Sequence, residues 1–314
     1  MNIDLSPEAL EYGGLVKRAL ESAGGDGLLR TFESEPERRD GVISPVLGEL
    51  GAWDLDPRGS GDELEAAAAL CRAVGYWAVA YPVAERLCRS ATLESDGLVV
   101  VADVAPAAAI GGSDLRWAAV TLDGRRSLVT ACPLVESPRT SAFVARLMLE
   151  PLDDDGADDV VLGVLLPCWT LLGMLDRALD LVRAYVLERQ QFGQPLAAFQ
   201  GVQFQLTDAE VERAGLEELA KYALWSVESA QPASLRDALA VRVAAIEAAD
   251  TVFRVAHQLH GAIGFCDETT LSWISRYSGP LRRLPFGLSE TLHQLSNRTR
   301  RDGLPGVFSG GQGQ

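Results

Sequence analysis

One corner of the chain concentrates side chains that can bind an anion. Arg189, Gln191 and Phe192 lie between two segments of helical apolar spacing, and Gly193 with Pro195 marks the join. A guanidinium can make paired hydrogen bonds to a diphosphate, and a phenyl ring can pack on a purine. These residues indicate a nucleotide-binding corner, although a plain interhelical turn with a surface arginine fits the same spacing.

A second stretch, 257–265, ends a long helical pattern in a glycine-rich turn. Gly261 and Gly264 can end a helix and let a backbone approach a ligand closely. Gln258 offers two donors and an acceptor at the same helix end. A glycine helix cap with a surface glutamine is the alternative. His257 and His260 are expected to pack or cap rather than to catalyse.

Both stretches resemble motifs of the acyl-CoA dehydrogenase family. The first is similar to its Arg-x-x-Phe-Gly-x-Pro-Leu…Phe-Gln-x-x-Gln signature, which joins two bundle helices and touches the ADP half of a neighbouring subunit's FAD. The second is similar to Gln-x-His-Gly-Gly-x-Gly-Tyr, which contacts the FAD diphosphate and ribityl region. The resemblance therefore implies FAD contacts at Arg189, Gln191, Phe192, Gln200, Gln203, Gln258, Gly261 and Ala262. Ala262 replaces a family glycine, so its φ must be negative.

The same resemblance shows where a catalytic base is missing. Family members abstract the substrate α-proton with a glutamate while a hydride leaves for the flavin, so a carboxylate must lie beside the thioester. Phe286 occupies one of the two family positions for this glutamate, and Gly163 occupies the other. Neither can take a proton. Glu268 is a weak stand-in, as are Asp267 and Arg282, and no catalytic residue is assigned.

Composition narrows the function further. The 314 residues carry a net charge of −16, which disfavours binding to nucleic acid. The sequence shows no uncharged apolar run long enough for a membrane span and no signal-peptide pattern at its start, so we expect a cytoplasmic protein without a membrane partner. The five cysteines include no Cys-x-x-Cys pair, and no metal site is expected.

The order of elements predicts a mainly α, acyl-CoA dehydrogenase-like fold. It comprises an N-terminal helical domain (1–94), a truncated β domain (95–160), a C-terminal antiparallel helical bundle (161–302) and a flexible tail (303–314). Ser6 and Pro7 should start the first helix, and another should cover Pro45–Trp53.

The middle region is predicted from β-rich runs. Strands are expected at 98–101 and 117–122, with a hairpin turn at Asp123-Gly124, and 142–149 and 159–166 as further strands. This region is shorter than its family counterpart and lacks the Thr-Glu-Pro-x-x-Gly-Ser type loop that seats the flavin ring.

The bundle is predicted from helical apolar stripes. A helix should begin at Pro167 and run to the Arg189 corner. The next should bury one face that includes Leu206, Leu216 and Leu219. Long helices with short joins and apolar stripes must pack together as a bundle.

The resemblance implies a shortened subunit of a heteromeric FAD-dependent acyl-CoA dehydrogenase. In the α2β2 arrangement known for actinobacterial enzymes, a larger partner carries the base, the flavin seat and most of the acyl-CoA site. Steroid side-chain thioesters are the expected substrate class. Isolated, the chain should be nearly colourless and inactive. Two alternatives remain open: a self-sufficient enzyme with an unorthodox base or a flavin-free elimination, and a non-catalytic scaffold.

Overall fold

The first helix starts where its sequence predicts. Ser6 Oγ accepts a hydrogen bond from the backbone N–H of Ala9, and Pro7 occupies the first helical position. This computed structural model describes residues 2–112, 114–133 and 143–303. The N-terminal helices are α1 (Pro7–Ser22), α2 (Gly27–Ser34), α3 (Arg38–Gly48), α4 (Gly61–Tyr76) and α5 (Val83–Leu87). The sequence did not predict α2, and Pro45 lies inside α3 rather than at the start of a helix.

A small sheet follows the helices. Its strands are β1 (Gly97–Val100), β3 (Trp117–Val120), β4 (Arg125–Ala131) and β6 (Met148–Asp155), in the spatial order β1-β3-β4-β6. The first pair is parallel and the others are antiparallel. A second pair joins β2 (Ala107–Ala108) to β5 (Ala145–Arg146). The hairpin between β3 and β4 forms at Asp123-Gly124 as predicted, with Gly124 at φ +87°.

The prediction of a strand at 159–166 was wrong. This segment lies in α6 (Ala157–Glu188), and Pro167 lies inside that helix rather than at its start. The reason is burial on several sides, since α6 packs against α4, α7, α8 and β1. A continuous apolar run of this kind does not distinguish a buried strand from a buried helix.

By length and composition, α6 could cross a membrane. Its most apolar window is 78% buried inside the protein, as is typical of a core helix. It is therefore weak evidence for a membrane span.

Four further helices complete the bundle. They are α7 (Gln200–Glu228), α8 (Ser234–His260), α9 (Thr270–Arg283) and α10 (Leu288–Asp302). α6, α7 and α8 pack on one another, and α9 and α10 pack against α8. Leu216 is buried in α7, but Leu219 is 44% exposed, so the predicted burial of Leu219 was wrong.

Two hydrophobic cores organise these elements. The larger core contains side chains from α1 to α5 and from α6 to α9, so the N-terminal helices and the bundle are packed as one layer system. One face of β1 and β3 joins this larger core, and the other face packs in a smaller core around Val99, Ile110 and Trp117. Buried Arg39 links the layers, because it donates hydrogen bonds to the carbonyls of Ala80 and Gly111. The domain boundaries at 94 and 160 remain a prediction, and 304–314 of the predicted tail lie outside the described residues.

Candidate functional site

The Arg189 corner is a tight hairpin between α6 and α7. The backbone N–H of Arg189 donates to the Tyr185 carbonyl at 2.8 Å, and the N–H of Leu196 donates to the Arg189 carbonyl at 2.8 Å. Between them, β7 (Gln190–Gln191) pairs with β8 (Gln194–Pro195). Phe192 and Gly193 form the tip at φ +50° and +81°. A phenylalanine in this left-handed region is uncommon, and its strain is compatible with a functional position.

The second motif ends α8. Gly261 caps the helix at φ +67°, a conformation that favours glycine, and a 3-10 turn continues over Gly261–Phe265. Ala262 does not have a positive φ. The methyl group that replaces the family's second glycine is therefore accommodated without backbone strain.

The two motifs meet in an open cleft of about 540 Å³. Arg189 and Gln191 line it from the hairpin, and Gln258, Gly261 and Ala262 line it from the end of α8. The structure thus brings together most of the residues that the sequence assigned to one binding site. Tyr185, Leu196, Val202, Leu259, His260 and Ile263 complete the lining.

Three assigned residues do not line this cleft. Phe192 is 91% exposed and meets the ring of Phe199 edge-on at 6.2 Å. Gln200 is exposed at the first position of α7. Gln203 Nε2 donates to the carbonyl of Ala197 at 2.9 Å, so its amide stabilises the turn that precedes α7. Any ligand contact by these three residues requires a molecule that extends beyond the cleft.

Aromatic stacking forms part of the cleft wall, which the sequence analysis missed. The ring of His260 stacks on Tyr185 at 4.4 Å, and His260 Nδ1 donates to the carbonyl of Ala256 at 2.8 Å. Nearby, His257 stacks on Phe265 at 4.3 Å. Burial lowers the pKa of both histidines, so both rings favour the neutral form. The sequence did contain a signal for this wall: Tyr185 precedes Arg189 by four residues, and side chains four residues apart on a helix lie on the same face.

The cleft suits an anion despite the acidic chain. Arg189 is exposed, and within the described residues its guanidinium has no ion pair or hydrogen bond to another group. No aspartate or glutamate is among the residues that line the cleft. A ligand phosphate would therefore meet a free charged fork and neutral donors rather than a competing carboxylate.

The two base positions lie elsewhere and are closed. A Cβ added at Gly163 would lie 2.4 Å from Val100 Cγ2 on β1, so a glutamate does not fit there without movement. Phe286 is half-buried against the larger core. Its carbonyl accepts from the buried Arg242 at 2.7 Å. Only a cavity of about 50 Å³ remains between Gly163 and the Leu284-Pro285 segment.

Glu268 and Glu85 are two carboxylates that could replace the missing base, and they differ in burial and in position. Glu268 is exposed, lines neither the cleft nor this small cavity, and contributes its backbone carbonyl to a 2.7 Å hydrogen bond from Arg30. Glu85 lines the small cavity, and burial raises the pKa of its carboxyl group to about 7. The sequence analysis missed Glu85. Across the described ranges, no cluster of three metal-ligating side chains is found.

Comparison with known families decides what this arrangement belongs to. Residues 165–296, which carry the cleft and both motifs, match the family described as "Acyl-CoA dehydrogenase, C-terminal domain". This part of the chain is an acyl-CoA dehydrogenase C-terminal domain. A 3-sulfinopropanoyl-CoA desulfinase from Paraburkholderia xenovorans is 36% identical over 107 residues, which are 33% of this chain and 26% of that protein. The match thus covers about a quarter of the length of this curated relative.

Solved structures show the same acyl-CoA dehydrogenase fold over nearly the whole chain. The ChsE4-ChsE5 complex from Mycobacterium tuberculosis aligns with a TM-score of 0.71 and 19% identity, covering 96% of this chain and 99% of that one. A variant of the steroid ACAD Tcur3481-Tcur3483 aligns with a TM-score of 0.76 and 21% identity, covering 95% and 99%. The predicted mainly α fold is confirmed, because these TM-scores over nearly the whole chain establish a shared architecture.

Proposed function

We propose that this chain is the shortened subunit of a heteromeric FAD-dependent acyl-CoA dehydrogenase, in which it supplies the ADP half of the FAD site and an assembly surface. The reaction of the complex would be α,β-desaturation of an acyl-CoA thioester. The observation that carries the proposal is the open cleft at Arg189 and Gln258, set against the closed base position at Gly163.

The residues present fit the diphosphate part of FAD. Arg189 offers a planar fork, Gln258 offers neutral donors, and a Cβ built at Gly261 would meet no heavy atom within 4 Å. The backbone there is open to close approach by a ligand. When bound, the flavin would accept the hydride that leaves the substrate β-carbon. In this proposal the chain's own residues only bind and orient the cofactor.

A larger acyl-CoA dehydrogenase subunit would supply the rest of the active site. The missing glutamate at 163 and 286 and the small cavity between them support a partner that carries the base and most of the acyl-CoA site. The similarity to a chain of a two-protein complex, ChsE4-ChsE5, and to a steroid ACAD supports an α2β2 assembly that acts on a steroid side-chain thioester. The proposal also includes a cytoplasmic location for the protein.

Glu85 favours a rival function. Glu85 lines the small cavity beside Gly163, and the raised pKa of its carboxyl group, about 7, suits a general base. A self-sufficient enzyme would use Glu85 as an unorthodox base. The cavity of about 50 Å³ is far below the size of a usual ligand site, roughly 300–1,000 Å³, which argues against this rival. A scaffold without flavin is the third possibility.

The test is flavin occupancy of a reconstituted complex. The chain is co-expressed with each acyl-CoA dehydrogenase-fold protein of its source genome that retains a glutamate base, and assembling pairs are isolated. Arg189→Ala should lower FAD affinity roughly ten- to a hundred-fold, because a charge-assisted contact contributes about 1.5–3 kcal/mol. Arg300→Ala, at an exposed position on α10 outside the cleft, is the matched control.

The outcomes separate the half-site from the self-sufficient enzyme. Loss of flavin in the Arg189→Ala complex, with assembly and thermal stability unchanged, supports the half-site. Full flavin content and full activity in that variant would show that the cleft does not hold the cofactor. Stoichiometric yellow colour and turnover in the isolated wild-type chain, abolished by Glu85→Gln, would instead establish the self-sufficient enzyme.

A further inference from the structure

One face of α7 exposes apolar side chains along much of its length. Phe204, Val211 and Leu219 are 59%, 62% and 44% exposed, and Gly215 lies between the last two on the same side. These four residues, called here the α7 face, recur at helical spacing and extend over about 22 Å. The opposite side of the helix is the buried one, with Ala209, Leu216 and Ala220 in the core.

Gly215 is not required by the packing of this chain. A Cβ built there meets no heavy atom within 4 Å, and its φ is not positive. Glycine in the middle of a helix destabilises it relative to alanine. A glycine at an exposed position, between two exposed apolar residues, is suited to close approach by another backbone.

Charges along the α7 face argue against a second copy of this chain. Asp208 and Glu212 are exposed, and neither carboxylate has an ion pair or hydrogen bond within the part of the chain that the structure describes. The neighbouring cations are already used, since Arg213 pairs with Glu210 and Glu217. Two α7 faces in contact would bring like charges together, which opposes association.

We propose that the α7 face docks a helix of the base-bearing partner subunit, and that this partner helix carries an apolar stripe flanked by lysine or arginine. This inference rests on the proposed function and extends it by naming the surface and the chemistry of its occupant. Apolar contacts supply the affinity. Asp208 and Glu212, called here the acidic flank, select a basic partner over a second copy.

The first test is Val211→Glu in the co-expressed complex. Glutamate has a higher helix propensity than valine, so the isolated variant keeps its fold and its melting temperature does not fall. A charge in the centre of the contact should weaken assembly roughly a hundred-fold. Val104→Glu is the control, since Val104 is 83% exposed in a loop outside α7. Dissociation constants are measured by analytical ultracentrifugation.

Gly215→Leu gives a sharper test, because it should raise the stability of the isolated chain and lower the affinity of the complex. In the isolated chain the melting temperature rises, since leucine favours the helix and finds open space. In the complex the larger side chain prevents close approach, and the dissociation constant rises at least ten-fold. A rise in melting temperature with unchanged assembly would overturn the docking proposal.

The acidic flank is tested by the pair Asp208→Lys and Glu212→Lys. Charge reversal should slow association and reverse its dependence on salt concentration, while the isolated chain remains monomeric. The same reversal at the exposed residues Glu8 and Glu11 of α1 is the control.

The outcomes distinguish the surface from the function. Assembly that survives Val211→Glu while Arg189→Ala still lowers flavin content would overturn only the α7 face. A homodimer of the isolated chain that Val211→Glu dissociates would show that a second copy is the occupant, against the proposal. If no base-bearing protein assembles with the wild-type chain, the proposed function is wrong and the docking surface falls with it.

Discussion

The two ends of α6 differ in how their polar groups are satisfied. Near the N-terminal end, the buried Asp159 accepts hydrogen bonds from Arg58 at 3.1 Å and from Arg126 at 2.9 Å. One turn on, Gly163 lies against Val100 without room for a side chain. At the C-terminal end, Arg189 faces an open cleft without a partner among the described residues. The first end is complete within the chain, and the second is not.

This difference indicates where the chain needs another molecule. Buried polar groups that are fully paired stabilise a fold and leave little capacity for a ligand. A free guanidinium beside free amides keeps that capacity. Substitutions at the closed end should therefore change stability, and substitutions at the open end should change binding.

The largest pH-independent effect is expected at Gly163. Gly163→Ala brings a methyl group against Val100 Cγ2. Overpacking costs about 1–3 kcal/mol, which outweighs a gain of up to about 1 kcal/mol in helix propensity. We expect a net loss of about 1–2 kcal/mol in the free energy of unfolding, measured by urea denaturation.

The sign should reverse when the obstacle is removed. In a Val100→Ala background, the same Gly163→Ala change should stabilise the protein, because only the helix-propensity gain remains. Equal destabilisation in both backgrounds would show that Val100 does not close this position.

A separate effect that depends on pH is expected at Glu85. Burial raises the pKa of its carboxyl group from 4.5 to about 7, so the folded state favours the protonated form. This contribution is fully present below pH 4.5 and is lost as the pH rises through 7. Relative to Glu85→Gln, the wild-type protein should lose at most about 3 kcal/mol between pH 4.5 and 8.

Urea midpoints at pH 5 and pH 8 measure this difference. Glu268→Gln changes an exposed carboxylate and should leave the wild-type profile unaltered. Parallel pH profiles for wild type and Glu85→Gln would contradict a buried titrating group at this cavity.

The smallest effect on stability is expected at the open end. Gln258→Ala should change the free energy of unfolding by no more than about 0.5 kcal/mol, because the side chain is exposed. In the complex it should weaken FAD binding roughly five-fold, the equivalent of one neutral hydrogen bond of about 1 kcal/mol. Fluorescence titration of the apo-complex measures the affinity.

Gln203→Ala is the matched control for this open-end prediction. Gln203 also belongs to the signature, but its amide is used by the carbonyl of Ala197. Its loss should lower stability slightly and leave flavin affinity unchanged. The reverse pattern would mean that the signature, rather than the cleft, defines the cofactor site.

Helix ends and turns were predicted from the sequence better than buried segments were. Ser6, Gly124 and Gly261 mark helix ends and turns through local backbone chemistry, and each lies where the pattern indicated. The cleft was equally accessible, because residues at two adjacent helix ends converge whenever the helices pack. Residues of the signature that serve the turn itself, such as Gln203, could not be separated from those that face the cleft.

Buried segments were predicted less well. Residues 160–166 are apolar and mostly buried, so periodicity could not distinguish helix from strand. Leu219 shows the reverse error, since an apolar residue at helical spacing was assumed to be buried when it lies on the exposed side. Glu85 gave no sequence signal at all, because its environment is created by β1, α6 and the segment after α9.

The division of the sheet between two cores has a consequence for how the molecule opens. One face of β1 and β3 packs into the large helical core, whereas Val129 of β4 and Leu149 of β6 pack against the smaller core. Amide hydrogens of β4 and β6 can therefore exchange through local opening that leaves the helices intact, while those of α4 and α6 should exchange only through global unfolding. The helical layers form one cooperative unit. The cleft at the end of α6 should therefore lose its structure only when that whole unit unfolds.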